Sequence, residues 1–274
     1  MTFPIFSNFG AVGSLPLMVD YLVVGGGGAG RANGGAGGGA GGCISVTESV
    51  AFVEGSPYTV TVGDGGIATD ASYDVSAAGS SSISGPGVSV SVDGGGYGGS
   101  YLSSITDGGD GGSGGGAGGR ASAVPGLATG VGTGNDGGDS NGSGYGGGGG
   151  GGAGGVGQDS TTTNGADGGV GLASSITGTE LYYAGGGGGS SEGNGGSGVG
   201  GSVTGGNTVT PPVANTGSGG AGDRNLPNPA SSGADGVVII RSNKPATSTT
   251  GSPAVTTDGG DTIYKFTTSG SITF

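Results

Sequence analysis

The stretch YGGGGGGGAGGVGQDSTTTNGADGGVG, Tyr145–Gly171, decides the fold, because the conformation of its glycines determines what kind of molecule this is. Glycine supplies 81 of the 274 residues, roughly four times its usual share. Glycine loses the most entropy on ordering and buries no side chain in return, so such composition suits a linker. Collagen would need glycine at every third position and abundant proline. With only 11 prolines and a glycine register that breaks repeatedly, the chain is not collagen. The remaining ordered state is polyglycine II, an extended left-handed helix of about three residues per turn and about 3.1 Å rise without internal hydrogen bonds. Its backbone groups must then pair with neighbouring rods. Side-by-side rods approach closely where the facing residue is glycine, so glycine becomes the packing residue.

Working outward, two textures alternate. Short runs rich in β-branched and aromatic residues read as strands: Leu17–Val24, Cys43–Val53, Tyr58–Val62, Gly87–Asp93, Gly236–Ser242 and Thr262–Phe274. Gly55, Ser56 and Pro57 between two of them predict a hairpin. No segment keeps helical periodicity. Between the strands lie glycine runs Gly25–Gly42, Gly94–Gly99, Gly108–Gly119, Gly146–Gly157, Gly165–Gly171, Gly185–Gly206 and Gly217–Gly222. They are separated by inserts with larger side chains: SYLSSITD, RASAVPGLATG, QDSTTTN, LASSITGTELYYA, NTVTPPVANT and DRNLPNPASS. The expected fold is an all-β base with a bundle of antiparallel polyglycine II helices and essentially no α-helix. Residues 1–93 with 236–274 form the base, including the first rod at 25–42, and 94–235 form the bundle with its loops.

Charge and chemistry narrow the function. Six Lys and Arg against 19 Asp and Glu give a net charge of −13, which repels phosphate backbones, so no nucleic-acid partner is expected. There is no His, and one Cys, Cys43, reads as a small buried filler. Nucleophile–base pairs cannot be assembled from this set, so the chain is not expected to be an enzyme. Neither GNDGGDSNG nor TDGGDGGSG places an apolar residue where a calcium roll needs one. Their aspartates read as solvated turn residues, and no metal or cofactor is expected. GGGGAG lacks the following helix that a phosphate loop requires. The single STTT, Ser160–Thr163, is too short for the regular face of an ice-binding protein. No run approaches the roughly 18 apolar residues of a membrane span, and the start has no basic signal-peptide region. Synthesis in a host cytoplasm without a signal peptide, and no membrane insertion, are the expectations.

The ordered set VDYLVVGGGGAG, YTVTVGDGG, long glycine runs and GADGVVIIRS closely resembles the glycine-rich domain of phage tail fibre and tail-tip adhesin proteins, over roughly Val19 to Ser242. The resemblance implies a virion protein, in a tail or another extracellular assembly. It would display loops on a polyglycine II scaffold to recognise a host cell-surface glycan or outer-membrane protein, alongside other virion proteins. Aromatic and arginine side chains favour binding hot spots. The receptor-binding candidates are therefore Tyr101, Leu102, Leu127, Leu181, Tyr182, Tyr183, Pro211, Pro212, Arg224 and Leu226, with Tyr182 and Tyr183 equally readable as staples at the rod ends. Tyr97 and Tyr145 are placed on the outer face of the bundle as cover. Asp107, Asp110, Asp136, Asp139 and Glu192 would keep copies apart laterally. In the family a block like GDTIYKFTTSGSITF usually precedes VDYLVVGGGG, whereas here it closes the chain. It either folds back on its own domain or is donated to a neighbour. Donation would make the protein a self-assembling structural filament or virion fibre, with Ile263, Tyr264, Phe266, Ile272 and Phe274 as the assembly residues.

Overall fold

A computed structural model describes residues 17–69, 75–101, 105–142, 145–161, 163–205, 207–224 and 230–274. Fourteen strands are present among them: β1 (Met18–Val24), β2 (Cys43–Ala51), β3 (Pro57–Thr61), β4 (Ser81–Gly85), β5 (Val88–Val92), β6 (Leu172–Ser174) and β7 (Leu181–Tyr183), followed by β8 (Ser202–Thr204), β9 (Thr208–Thr210), β10 (Val237–Ser242), β11 (Ser248–Thr250), β12 (Ala254–Asp258), β13 (Asp261–Phe266) and β14 (Gly270–Thr273). The described residues contain no α-helix, only a 3-10 turn at Gly196–Gly198. The chain is all-β with antiparallel sheets, as the sequence predicts.

Ten strands build a sandwich of two five-stranded sheets, ordered β12-β13-β10-β1-β2 and β11-β14-β3-β4-β5. Val19, Tyr21 and Val23 of β1 face the second sheet, together with Val238, Ile240, Tyr264 and Phe266. They meet Tyr58, Val60, Ile83, Ile272 and Phe274 across the interior. The alternate residues Leu22 and Val24 pack on the opposite face with Val237, Ile239, Ile263, Cys43 and Tyr183. Burial on both faces explains why VDYLVV and GVVII read as continuous apolar runs rather than alternating ones. Phe52 stacks on Tyr58 at 4.1 Å between centroids, and Phe274 meets both Phe52 and Tyr264 edge-on at 6.1 and 6.2 Å.

Two expected pairings are corrected. Gly55–Pro57 is a turn but not a hairpin: β2 pairs with β1, while β3 crosses to the other sheet and pairs with β14 and β4. A local turn signal fixes a change of direction and leaves the partner open. The terminal block likewise divides between sheets, β13 lying beside β10 and β14 beside β3. It folds in cis, and Ile263, Tyr264, Phe266, Ile272 and Phe274 are all buried in the sandwich of their own chain.

Above the sandwich the glycine runs form close-packed extended rods. Segment 35–42 shows the pattern most completely. Ala36, Gly39 and Gly42 donate to Gly99, Gly96 and Asp93; Gly37 and Ala40 donate to Gly148 and Gly151; Gly38 and Gly41 donate to Gly220 and Gly217. Its carbonyls accept on the same period. Ala36, Gly39 and Gly42 receive from Arg31, Gly28 and Gly25; Gly37 and Ala40 from Gly116 and Ser113; Gly35 and Gly38 from Ser190 and Gly187. The partner changes with each residue and returns after three, the period of a helix with about three residues per turn. Six different segments therefore surround this one. Successive segments 25–31 and 35–42 run antiparallel, whereas 35–42 and 148–151 run parallel, since donor and acceptor numbers rise together. Gly195, at φ −74 and ψ 143, has the backbone angles of the same extended helix.

The contacts leave no room for side chains. A Cβ at Gly37 would lie 1.9 Å from the Gly187 oxygen, and one at Gly38 would lie 2.2 Å from the Gly28 oxygen. At the outer rods, aspartate carboxylates stand in for a missing neighbour. Asp107 and Asp110, one turn apart, accept the N–H groups of Val124 and Leu127 at 3.0 and 2.8 Å. Asp136, Asp159 and Asp167 accept those of Ala128, Asp139 and Asn194. The DGGD spacing of Asp107 and Asp110 is thus the three-residue period written in the sequence; in the second stretch Asp136 accepts from another rod, while Asp139 accepts the N–H of Ser140.

Gly38→Ala is expected to cost upward of about 3 kcal/mol or to prevent folding, because the obstacle is backbone on all sides. Gly205→Ala, which meets nothing within 4 Å, should stay within about 0.5 kcal/mol. Denaturant unfolding of the two variants measures both.

Candidate functional site

The loops converge at the end of the bundle opposite the sandwich. The two rods 25–31 and 35–42 are joined by a turn in which Asn33 and Gly34 take φ of 64° and 60°. These are left-handed values that Asn and Gly tolerate best. Four other loops are tied to this turn. Tyr101 N–H donates to the Asn33 oxygen at 3.0 Å, Gly34 N–H to the Arg224 oxygen at 3.2 Å, and Gly119 N–H to the Gly34 oxygen at 3.1 Å. Ser190 donates its N–H to the Gly35 oxygen at 2.9 Å and its Oγ–H to the Tyr145 oxygen at 2.6 Å. A Cβ at Gly34 would meet Tyr101 Cβ at 2.9 Å and Tyr145 Cδ1 at 3.2 Å, so glycine there lets the two tyrosines close over the turn.

The result is an aromatic and cationic apex. The Tyr101 and Tyr145 rings lie 4.8 Å apart at 46°, and the Arg224 guanidinium sits 5.6 Å over the Tyr145 ring. Arg31, itself buried, stacks at 4.8 Å over Tyr97. Of the chain's six cations, Arg31, Arg120 and Arg224 all belong to rod ends or loops on this side. In the base, Arg241 bonds Asp258 and Asp261 at 2.8 Å each, and Lys244 pairs with Glu54. The cation–π contacts hold Arg31 and Arg224 over tyrosine rings; Arg31 also donates to the Ile105 oxygen from its buried position.

The ten sequence-predicted residues do not form one site. Tyr101 and Arg224 are at the apex, while Leu102 and Leu226 lie outside the described residues. Leu127 is on the flank, exposed, with its N–H held by Asp110. Leu181 and Tyr182 are exposed on β7 beside the base. Tyr183 takes the staple role and not the receptor-binding one: it is 2% exposed and packs with Cys43, Ile239 and Ile263 between the bundle and the sandwich. Pro211 and Pro212 line a groove near the same end. Sequence reasoning missed Tyr145, Arg31 and Arg120 as apex residues. The usable signal was that Arg120 and Arg224 stand where a glycine run gives way to an insert, and that Arg31 interrupts the first run just before Asn33-Gly34, a turn dipeptide.

Cys43 is fully buried, and burial pushes its thiol up to about 12; burial, and then the nearby Cys43, also raise the Tyr183 hydroxyl. Among the described residues no group of three or more His, Cys, Asp or Glu is placed to hold a metal ion. No described helix is long and apolar enough to cross a membrane.

A family model described as a glycine-rich domain matches residues 11–243, and the chain belongs to that family. No curated protein and no solved structure matches the chain. Residues 244–274 lie beyond the family match, although β12, β13 and β14 complete both sheets.

The raised Cys43 pKa makes its neutral form the folded form, so it contributes stability that is lost as pH rises from about 9 toward 12, by about 1.4 kcal/mol per pH unit. At pH 8 a thiol reagent is expected to leave Cys43 unlabelled in the native protein and to label it stoichiometrically in denaturant, as absorbance of the released thiol chromophore would record.

Proposed function

We propose that this is a non-enzymatic display protein of the phage tail fibre or tail-tip adhesin kind. In this reading polyglycine II rods carry an apex that recognises a host cell-surface glycan or outer-membrane protein, within a virion tail. The observation that carries it is the convergence of four loops on the Asn33–Gly34 turn, each anchored by a backbone hydrogen bond to the hairpin of two central rods, with Tyr145 held to one of them through the Ser190 hydroxyl. Loops fixed to a rigid frame lose little entropy when they bind, and loops on a scaffold commonly carry recognition. Tyrosine and arginine are the residue types that dominate binding energy at such surfaces. Membership in the glycine-rich family supports the scaffold. The all-glycine contacts and the three-residue hydrogen-bond period support polyglycine II as its conformation.

A filament built by exchange of the terminal strands would require β13 and β14 to leave their own sheets. Phe266 and Ile272, fully buried in their own chain, would then take the same places in a neighbour.

The triple variant Tyr101→Ala, Tyr145→Ala and Arg224→Ala tests the reading against a glycan array and a panel of bacterial outer-membrane vesicles. The native protein should bind at least one of these surfaces, and the variant should bind it about thirtyfold more weakly, the loss of about 2 kcal/mol expected of a hot spot. The melting temperature should move by only a few degrees. Equal binding by both proteins would contradict the proposal.

A further inference from the structure

On the flank of the bundle, away from the apex cluster, lies an open groove of about 820 Å³, within the size range of ligand-binding pockets. One wall is the rod 230–235, which leads into β10; the other is β9 with Pro211, Pro212 and Asn215. The three-residue period shows what the first wall lacks. Ser231 and Ala234 donate their N–H groups to Ala221 and Ser218, and Gly233 and Gly236 donate theirs to Gly66 and Gly63. The third face of this rod is formed by Ser232 and Asp235, whose N–H groups have no partner among the described residues. Both residues line the groove.

The opposite wall is also a free edge. Val203 of β8 sends its N–H away from the β8–β9 hairpin, to the Gly193 oxygen. Val209 stands directly across from it. Residues opposed in an antiparallel pair share their bonding type, so Val209 directs its own N–H and C=O outward as well. Val209 lines the groove. The adjoining prolines have no N–H to offer and supply apolar contact. Two unpaired backbone edges thus border one channel, one of them with donors a single rod turn apart.

We propose that this groove is a slot for one extended, uncharged, glycine-rich segment of a partner polypeptide, held by main-chain hydrogen bonds in the way that a strand is added to a sheet edge. The bundle itself indicates why glycine is required. At the inward-facing positions of neighbouring rods a Cβ would come within about 2 Å of backbone, as at Gly65, Gly220 and Gly233 around this position, while Ser218, Ala221, Ser231 and Ala234 show that small side chains fit at the positions between. A segment seated closely enough to accept from Ser232 and Asp235 meets the same limit. Six residues of groove wall correspond to about 19 Å of such a segment. Asp235 gives the wall a negative charge, which excludes an acidic occupant and disfavours a second copy of this −13 chain.

Proline substitution tests the slot directly. Ser232→Pro and Asp235→Pro delete the two donors, and proline's φ suits an extended rod. Their side chains also accept N–H groups from Ala68 and Gly65, so the double variant Ser232→Ala and Asp235→Ala is the control that keeps both donors. The probe is a fluorescent glycine–serine peptide of about ten residues, long enough to span the groove. Binding is read by fluorescence anisotropy, with an alanine-rich peptide of equal length for comparison. The native protein and the alanine control should bind the glycine–serine peptide saturably, and the proline variant should bind it at least about tenfold more weakly with the melting temperature of the control. Absence of saturable binding to the native protein would overturn the proposal, as would equal weakening in the alanine control or equal binding of the alanine-rich peptide. Sedimentation showing a native dimer that the proline pair dissociates would also overturn it, in favour of a second copy as occupant.

Discussion

Rods without internal hydrogen bonds can be buried only if each residue finds a donor and an acceptor on its neighbours, and this requirement governs the rest of the molecule. Segment 35–42 meets it with six surrounding segments, taking a different partner at each residue and returning every third. Such spacing leaves no place for Cβ atoms on the contact faces, so the glycine content follows from the packing. A conventional core gains from burying apolar side chains; here the interior of the bundle is backbone, and the gain lies in satisfied amide groups and close contact. Ala36 and Ala40 are tolerated even at the centre, which shows that the exclusion is specific to position.

The sandwich and the bundle support one another. Val24 runs straight into Gly25, and Val237 follows the last rod, so β1 and β10 pair side by side where the rods begin and end. One face of their sheet packs on the second sheet and the other on Tyr183, Ala184 and Ala153 of the bundle. The terminal strands β13 and β14 complete both sheets, and the apex is held at the far end of rods anchored in this base. Rigidity at the apex therefore traces back to the base through continuous hydrogen-bonded rods.

Much of this was legible in the sequence. Extended runs, glycine as packing residue, the lack of α-helix among the described residues and the strands β1, β2, β3, β5, β10, β13 and β14 follow from composition and pattern. In contrast, β4, β11 and β12 of the sandwich and the short strands of the bundle were not read from their serine-, threonine- and glycine-rich surroundings. Strand partnership does not follow from pattern either, because it depends on contacts between residues far apart in the chain. Gly55–Pro57 announces a turn without saying that β3 joins the other sheet, and GDTIYKFTTSGSITF does not reveal that its halves separate. Tyr182 and Tyr183 differ by one position, and strand alternation sends one outward and the other into the core. The aspartates were read as solvated turn residues, although Asp107 and Asp110 accept backbone N–H groups of a neighbouring rod at the rod period. The apex was only half visible, since Tyr145 and Arg224 come together through a turn more than 100 residues earlier in the chain.

Amide hydrogen exchange, resolved by NMR, tests the lattice most directly. Every N–H from Ala36 to Gly42 is bonded within the bundle, so these glycine-rich amides should exchange as slowly as those of Val238, Ile239 and Ile240 in the buried strand β10, by opening only with global unfolding. Exchange of the 36–42 amides at the rate of an unstructured glycine linker, while β10 remains protected, would contradict a hydrogen-bonded bundle and leave the sandwich as the sole ordered part of the protein.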